Sequence, residues 1–240
     1  MDKPLTGFTA YDVRGRVPAE LDAEIAGRIG TAFVDQFGLG KVVIGRDMRL
    51  SSPEISIALA DALSAEGADV LDIGLAGTEE VYHAVFAGEA DGVDGGIMVT
   101  ASHNPADYNG IKLLQRGARP VSSDSGLSEI SAKASSQAWY SDKKAQQPGK
   151  QQGVCEVNTD KDNYIKFLLS FVEPDRFAPL KLVVNGGNGC AGPVIDLLEH
   201  HLPFTFIKLN HEPDGTFPNG VPNPLLPEKR EVTTQAVIYQ

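Results

Sequence analysis

A hydroxyl, an imidazole and an amine stand close together in one short stretch. Ser102 and His103 lie in Thr100-Ala101-Ser102-His103-Asn104-Pro105, and Lys112 ends the following Asp107-Tyr108-Asn109-Gly110-Ile111-Lys112. These groups suit phosphoryl chemistry. A phosphorylated Ser102 would carry about −1.5 to −2 charges. His103 and Lys112 could offset that charge or move protons to and from an attacking hydroxyl. Spacing permits these roles without assigning them. An acyl-transfer serine fits poorly, because T-A-S-H-N is not the G-x-S-x-G of a nucleophile elbow; a turn serine capping a helix is the other reading. Nearer the start, Arg14 follows Tyr11-Asp12-Val13 and precedes Gly15. On a glycine-relieved turn it offers a forked donor for phosphate, with a surface ion pair as the alternative. The charges of Gly45-Arg46-Asp47-Met48-Arg49-Leu50-Ser51-Ser52 could orient the serine loop.

The elements that must position these residues read as α/β. Leu21, Ile25, Ile29, Phe33 and Phe37 make a helical apolar stripe that stops at Gly38. A buried strand follows at residues 41–45. Ser52-Pro53-Glu54 supplies an N-cap, a first-turn proline and a first-turn acid for a helix running to Gly67. A strand over 68–74 completes a βαβ unit, and a helix from Thr78 leads to the apolar strand 95–100, of the kind covered on both faces. Such alternation implies a mostly parallel sheet between helices. From Gln115 to about Val154 the chain turns polar, which predicts a linker with partial structure and a short helix near 127–134. A helix around 164–172, strands at 180–184 and 204–209 and a helix at 193–201 then repeat the theme, followed by a Pro/Gly-rich tail and a helical start over 228–237. The expected domains are 1–135, a linker at 136–155, and an incomplete second domain at 156–240.

A formal charge of −11 disfavours a general nucleic-acid binder. No apolar run is long enough for a bilayer helix, and Met1 to Thr6 lacks the features of a secretory signal, so the cytoplasm is the default. Cys155 and Cys190 read as free thiols. The five histidines show no zinc-type spacing, and His200 and His201 read as helix-end residues. Gly187-Asn188-Gly189-Cys190-Ala191-Gly192 matches G-x-G-x-x-G between a strand and a helix, with Glu212 downstream, so a dinucleotide-binding module has to be weighed.

TASHNPADYNGIKLL resembles the phosphoserine loop of the phosphohexomutases, the family of phosphomannomutases and phosphoglucomutases. Ala10-Tyr11-Asp12-Val13-Arg14-Gly15 is similar to that family's opening Y-D-[IV]-R-G loop. Asn185 to Pro193 looks like the turn opening its second domain, and 213–219 and 222–228 resemble the stretch before its metal loop. The resemblance implies two tandem α/β sandwich domains with mixed, mostly parallel sheets. It implies that Ser102 carries a phosphoryl group, gives it to a sugar monophosphate and recovers the other phosphate from a bisphosphate intermediate. His103, Lys112 and Arg14 are then the catalytic candidates, and Tyr11, Arg14, Asn104 and Lys112 the phosphate or substrate contacts. Mg2+, bridged to Ser102 through its phosphate, and a hexose 1,6-bisphosphate activator are the implied cofactors.

GTEEVYHA, the serine-loop segment and FPNGVPNPLLPE are closer to bacterial phosphomannomutases, with phosphoglucomutase as the near alternative and a non-catalytic remnant as another. No D-x-D-x-D occurs in the sequence, and Asp160-Lys161-Asp162-Asn163 reads as helix capping. The expectation is therefore that the missing C-terminal domains are needed, and that the 240-residue chain alone is inactive and binds magnesium weakly.

Overall fold

The computed structural model describes residues 5–239; the first four residues of the N-terminal segment and Gln240 lie outside them. Two compact units are present. The first comprises residues 5–47, 51–102 and 107–159, and the second Met48–Leu50, His103–Ala106 and residues 160–239.

The first unit opens with strand β1 (Val13–Arg16) and helix α1 (Ala23–Phe37). The Asp22 carboxylate caps α1 by accepting from the Ile25 N–H at 2.8 Å, and Gly38 ends it at φ 63°. Strand β2 (Lys41–Arg46), helix α2 (Ser52–Ala65), strand β3 (Asp69–Leu75), helix α3 (Thr78–Ala87) and strand β4 (Gly95–Val99) follow. Strand β5 (Tyr108–Gln115) and the two-residue strand β6 (Arg119–Pro120) turn back antiparallel, and helices α4 (Leu127–Ser135) and α5 (Gln137–Gln146) precede strand β7 (Cys155–Val157). Among the described residues the sheet order is β1-β5-β4-β2-β3-β7, with β6 beside β5. Strands β4, β2, β3 and β7 run parallel, while β1 and β6 are antiparallel to β5.

Both faces of this sheet are covered. Val42, Ile44, Ile97 and Val99 meet Ile29 and Phe33 of α1 and Ile55, Leu59 and Leu63 of α2. Val43, Met98 and Leu114 face Val81 and Val85 of α3. Burying each large apolar side chain contributes about 1.5–3 kcal/mol, which holds the carboxyl ends of β2 and β4, and the loops leaving them, in register.

Ser52 does not cap α2. The capping position falls on Ser51, and the Ser52 hydroxyl, fully buried, donates to Asp47 Oδ1 at 2.6 Å. Residues 136–155 also differ from a linker: they hold α5 and lead into β7, which pairs with β3. Trp139, packed against the core, and polar contacts together hold α5, without an apolar stripe. Lys143 of α5 and Lys133 of α4 both pair with Asp35, and the Arg28 guanidinium lies over the Tyr140 ring.

In the second unit, helix α6 (Asp162–Leu169) precedes strand β8 (Lys181–Asn185), helix α7 (Ala191–Leu198) and strand β9 (Thr205–Leu209), with helix α8 (Glu231–Ile238) last. Strands β8 and β9 pair in parallel. Ile165 and Phe217 are buried here, while Phe171, Leu225, Val232 and Ile238 are exposed. The capping position of α6 falls on Lys161 rather than on an aspartate, and Asp160 accepts from the Asp162 N–H at 2.9 Å in a local turn. Among the described residues, no helix is long and apolar enough to cross a membrane.

Candidate active site

The antiparallel pairing of β1 with β5 brings together residues nearly a hundred positions apart. Arg14 lies opposite Gly110 and Val13 opposite Ile111, so Lys112 comes beside the loop that ends in Asp12. One carboxylate oxygen, Asp12 Oδ2, accepts from Arg14 Nη2 at 2.9 Å, Arg14 Nε at 3.1 Å and Lys112 Nζ at 2.9 Å. Thr9 Oγ1 donates to Asp12 Oδ1 at 2.8 Å. Burial by itself would raise the Asp12 pKa, but the bonds from Arg14 and Lys112 outweigh it and hold the carboxyl below its ordinary value. Asp12 is thus an anion fixed between two cations.

Arg14 reaches onward. Its Nη1 donates to the Thr100 carbonyl at 2.9 Å, and Thr100 Oγ1 accepts from the Ser102 N–H at 2.9 Å. The cation pair and the serine loop are therefore linked through Thr100, at the carboxyl end of β4 where open α/β sheets place their ligand sites. Ser102 is exposed and adopts φ 53°, a left-handed backbone that costs a non-glycine residue on the order of 1–3 kcal/mol.

A buried polar chain steadies the surroundings. Asn109 Nδ2 donates to Ser51 Oγ at 2.8 Å and Ser52 Oγ at 2.9 Å, its Oδ1 accepts from the Gly110 N–H, and Ser52 passes the chain to Asp47. The Asp47 N–H in turn donates to the Val99 carbonyl. In the second unit, buried Arg49 donates from Nη1 to the Pro105 carbonyl and from Nη2 to the Asn104 carbonyl, each at 2.7 Å. Its guanidinium also lies over the Phe217 ring. Of the charged run 45–52, Arg49 holds the Asn104 and Pro105 carbonyls, while Arg46 pairs with Asp72.

Of the residues singled out from sequence, Arg14 and Lys112 are brought together, and Arg14 is tied to the Ser102 loop. His103 is exposed next to Ser102 in the chain, and Asn104 is half-buried. Tyr11 is 73% exposed, with its backbone N–H on Thr9 Oγ1. Asp12, Thr100, Asn109 and Ser52 were missed. Asp12 had a usable signal, an acid two residues before the arginine; the others become visible only through tertiary contacts, strand pairing for Thr100 and Asn109 and the start of α2 for Ser52.

Gly110 is required by this geometry. A Cβ there would lie 2.4 Å from the Val13 carbonyl oxygen, 2.7 Å from that of Thr100 and 2.8 Å from Arg14 Cδ. Two of those neighbours are backbone and cannot swing aside. Gly110→Ala is expected to destabilise by about 2 kcal/mol or more, read as a lower urea midpoint; a wild-type midpoint would contradict the close approach.

The second glycine run is filled by its own unit. Asn188 Nδ2 donates to the Glu212 carbonyl and Asn188 Oδ1 accepts from Asn219. A Cβ at Gly187 would meet Pro222 at 2.6 Å, and one at Gly192 the His211 carbonyl oxygen at 2.1 Å. Gly187 and Gly192 thus admit the protein's own 211–222 segment, a structural use of these glycines.

Magnesium prefers near-octahedral oxygen ligation. Among the described residues no group of three or more His, Cys, Asp or Glu side chains could hold a metal, and the Asp12 carboxylate is occupied by Arg14, Lys112 and Thr9. These residues do not by themselves fit a magnesium site.

Two family models match the chain in succession: alpha/beta/alpha domain I of phosphoglucomutase/phosphomannomutase over residues 6–141, and alpha/beta/alpha domain II over 162–238. A Xanthomonas campestris pv. campestris protein described as phosphohexose mutases is 51% identical over 233 residues, which are 97% of this chain and 50% of the relative. A phosphomannomutase of Salmonella montevideo is 49% identical over 239 residues, 98% of this chain and 51% of its own. A solved phosphoglucomutase/phosphomannomutase family protein from Burkholderia thailandensis superposes with a TM-score of 0.83 at 36% identity, covering 100% of this chain and 51% of that one. The chain spans about half the length of the curated relatives it matches. With both domain models matched in order along most of its residues, the chain belongs to the phosphoglucomutase/phosphomannomutase family.

Proposed function

We propose that this chain supplies the phosphoserine half of a phosphomannomutase, which interconverts mannose 6-phosphate and mannose 1-phosphate. One observation carries the reading: Arg14 and Lys112 converge on Asp12, and Arg14 continues to Thr100, two residues before an exposed serine held in a strained backbone. Relatives named phosphomannomutase support the choice of sugar.

In this reading a phosphoryl group on Ser102 passes to a free hydroxyl of the sugar monophosphate. The bond from phosphorus to Ser102 Oγ breaks and a bond to the sugar oxygen forms. His103 takes the proton of the attacking hydroxyl and returns it to Ser102 Oγ. The bisphosphate then reorients and gives its other phosphate back to Ser102. Arg14 and Lys112 act on the charge of the transferring group, Tyr11 and Asn104 on the bound phosphosugar. Such prepositioned donors are worth most where charge develops in the transition state. Magnesium and a hexose 1,6-bisphosphate activator belong to the proposal through the family, as does a cytoplasmic setting. The magnesium carboxylates would have to come from outside residues 5–239.

A coupled assay tests the proposal on two proteins: the 240-residue chain, and a fusion of it to the corresponding second half of a curated relative. The fusion is expected to turn over mannose 1-phosphate with magnesium, and the chain alone to show no measurable turnover. Preference of the fusion for glucose 1-phosphate would replace the sugar assignment. No turnover of either sugar by a folded fusion would remove the proposal.

A further inference from the structure

We infer that Asp12 is a positioning residue, whose single carboxylate locks Arg14 and Lys112 into one cationic receptor for the phosphoryl group of Ser102. The inference rests on the phosphoserine reading proposed above. Both cations contact the same oxygen, Oδ2, with Arg14 Nη2 and Lys112 Nζ each 2.9 Å from it. The two nitrogens therefore lie at most twice that distance apart, a separation at which like charges repel unless an anion sits between them. Thr9 Oγ1, 2.8 Å from Oδ1, fixes the rotation of the carboxylate. The side chains of Asp12, Arg14 and Lys112 are 12%, 16% and 29% exposed, so water screens the group only in part.

The stoichiometry suits a receptor. One carboxylate against two cations leaves a net positive charge at the point where Arg14 also touches Thr100, and a phosphoryl group is the anion that such a residue of charge would take. The Asp12 carboxylate accepts from Arg14, Lys112 and Thr9 together, joining the loop before β1 to β5.

The test reads the two cations directly in the isotope-labelled 240-residue chain by nuclear magnetic resonance. Asp12→Asn keeps the shape and removes the charge. The expected result is an unchanged backbone amide spectrum, with the Arg14 Nε–H exchanging with water about tenfold faster and the Lys112 side-chain signal displaced; Asp12→Glu should be intermediate. In the wild type, titration with inorganic phosphate should move the Arg14 and Lys112 signals along one saturation curve. Arg14 exchange within about twofold of wild type in a folded Asp12→Asn would overturn the inference, as would wild-type signals that do not respond to phosphate. If Asp12→Asn does not fold, Asp12→Glu decides, since it keeps the charge and shifts the oxygen: wild-type exchange in that variant also overturns the inference. The titration uses chain shown by intact mass to be unphosphorylated, since a phosphoryl group on Ser102 would itself occupy the two cations. Failure of the serine reading would appear instead as turnover that survives Ser102→Ala.

Discussion

Ser102→Ala in the mutase fusion is expected to reduce turnover below detection, a loss of at least about 10⁴-fold and the largest effect of any single substitution. The alanine removes the only atom to which the phosphoryl group is proposed to be bonded, and neither Arg14 nor Lys112 can replace an oxygen nucleophile. The fold should survive. Ser102 is exposed, and alanine keeps the N–H that donates to Thr100 Oγ1 at 2.9 Å. The strained φ of 53° is retained by alanine and relieved by glycine. Ser102→Gly should therefore be equally inactive yet more stable than Ser102→Ala by about 1 kcal/mol. Thermal unfolding of both variants beside the coupled assay checks the pair. An active Ser102→Ala enzyme would end the phosphoserine account.

The second large effect is expected at Arg14. Removing a donor aimed at developing charge typically costs about 10²–10³ in turnover, or roughly 2.7–4 kcal/mol. Arg14→Ala should lose that much in the fusion. It also gives up the bonds to Asp12 and Thr100, for which about 1–2 kcal/mol of stability is expected, the net worth of hydrogen bonds at a partly exposed site. Activity should fall by more than stability does. Arg14→Lys separates the contributions: it keeps the charge beside Asp12 but loses the fork that also reaches Thr100, so most of the activity loss should remain while stability largely recovers. Equal free-energy losses in turnover and unfolding would mean that Arg14 serves the fold.

Much of this site was legible because its chemistry is local in sequence. Ser102, His103 and Lys112 follow one apolar strand, and α1 is set by its apolar period and the stop at Gly38. Asp12 was not legible as a contact of Lys112, because they are joined by a strand pairing across 100 positions and β1 has no apolar alternation to announce it. Ser52 read as a helix cap because serine before proline and glutamate usually is one; its neighbour Ser51 took the capping position, leaving Ser52 free to bridge Asn109 and Asp47. The segment 136–155 looked unstructured because α5 is held by Trp139 and by ion pairs, which leave no apolar period to read. The second glycine run matched a nucleotide fingerprint letter for letter, yet Gly187 and Gly192 serve close packing against the protein's own 211–222 segment.

The most direct measurement is intact mass with peptide mapping of the mutase fusion after incubation with a hexose 1,6-bisphosphate. The account predicts one added phosphoryl group on the peptide containing Ser102, absent from Ser102→Ala and lost when sugar monophosphate is added. Phosphate on another residue, or none on an enzyme that turns over, would contradict it.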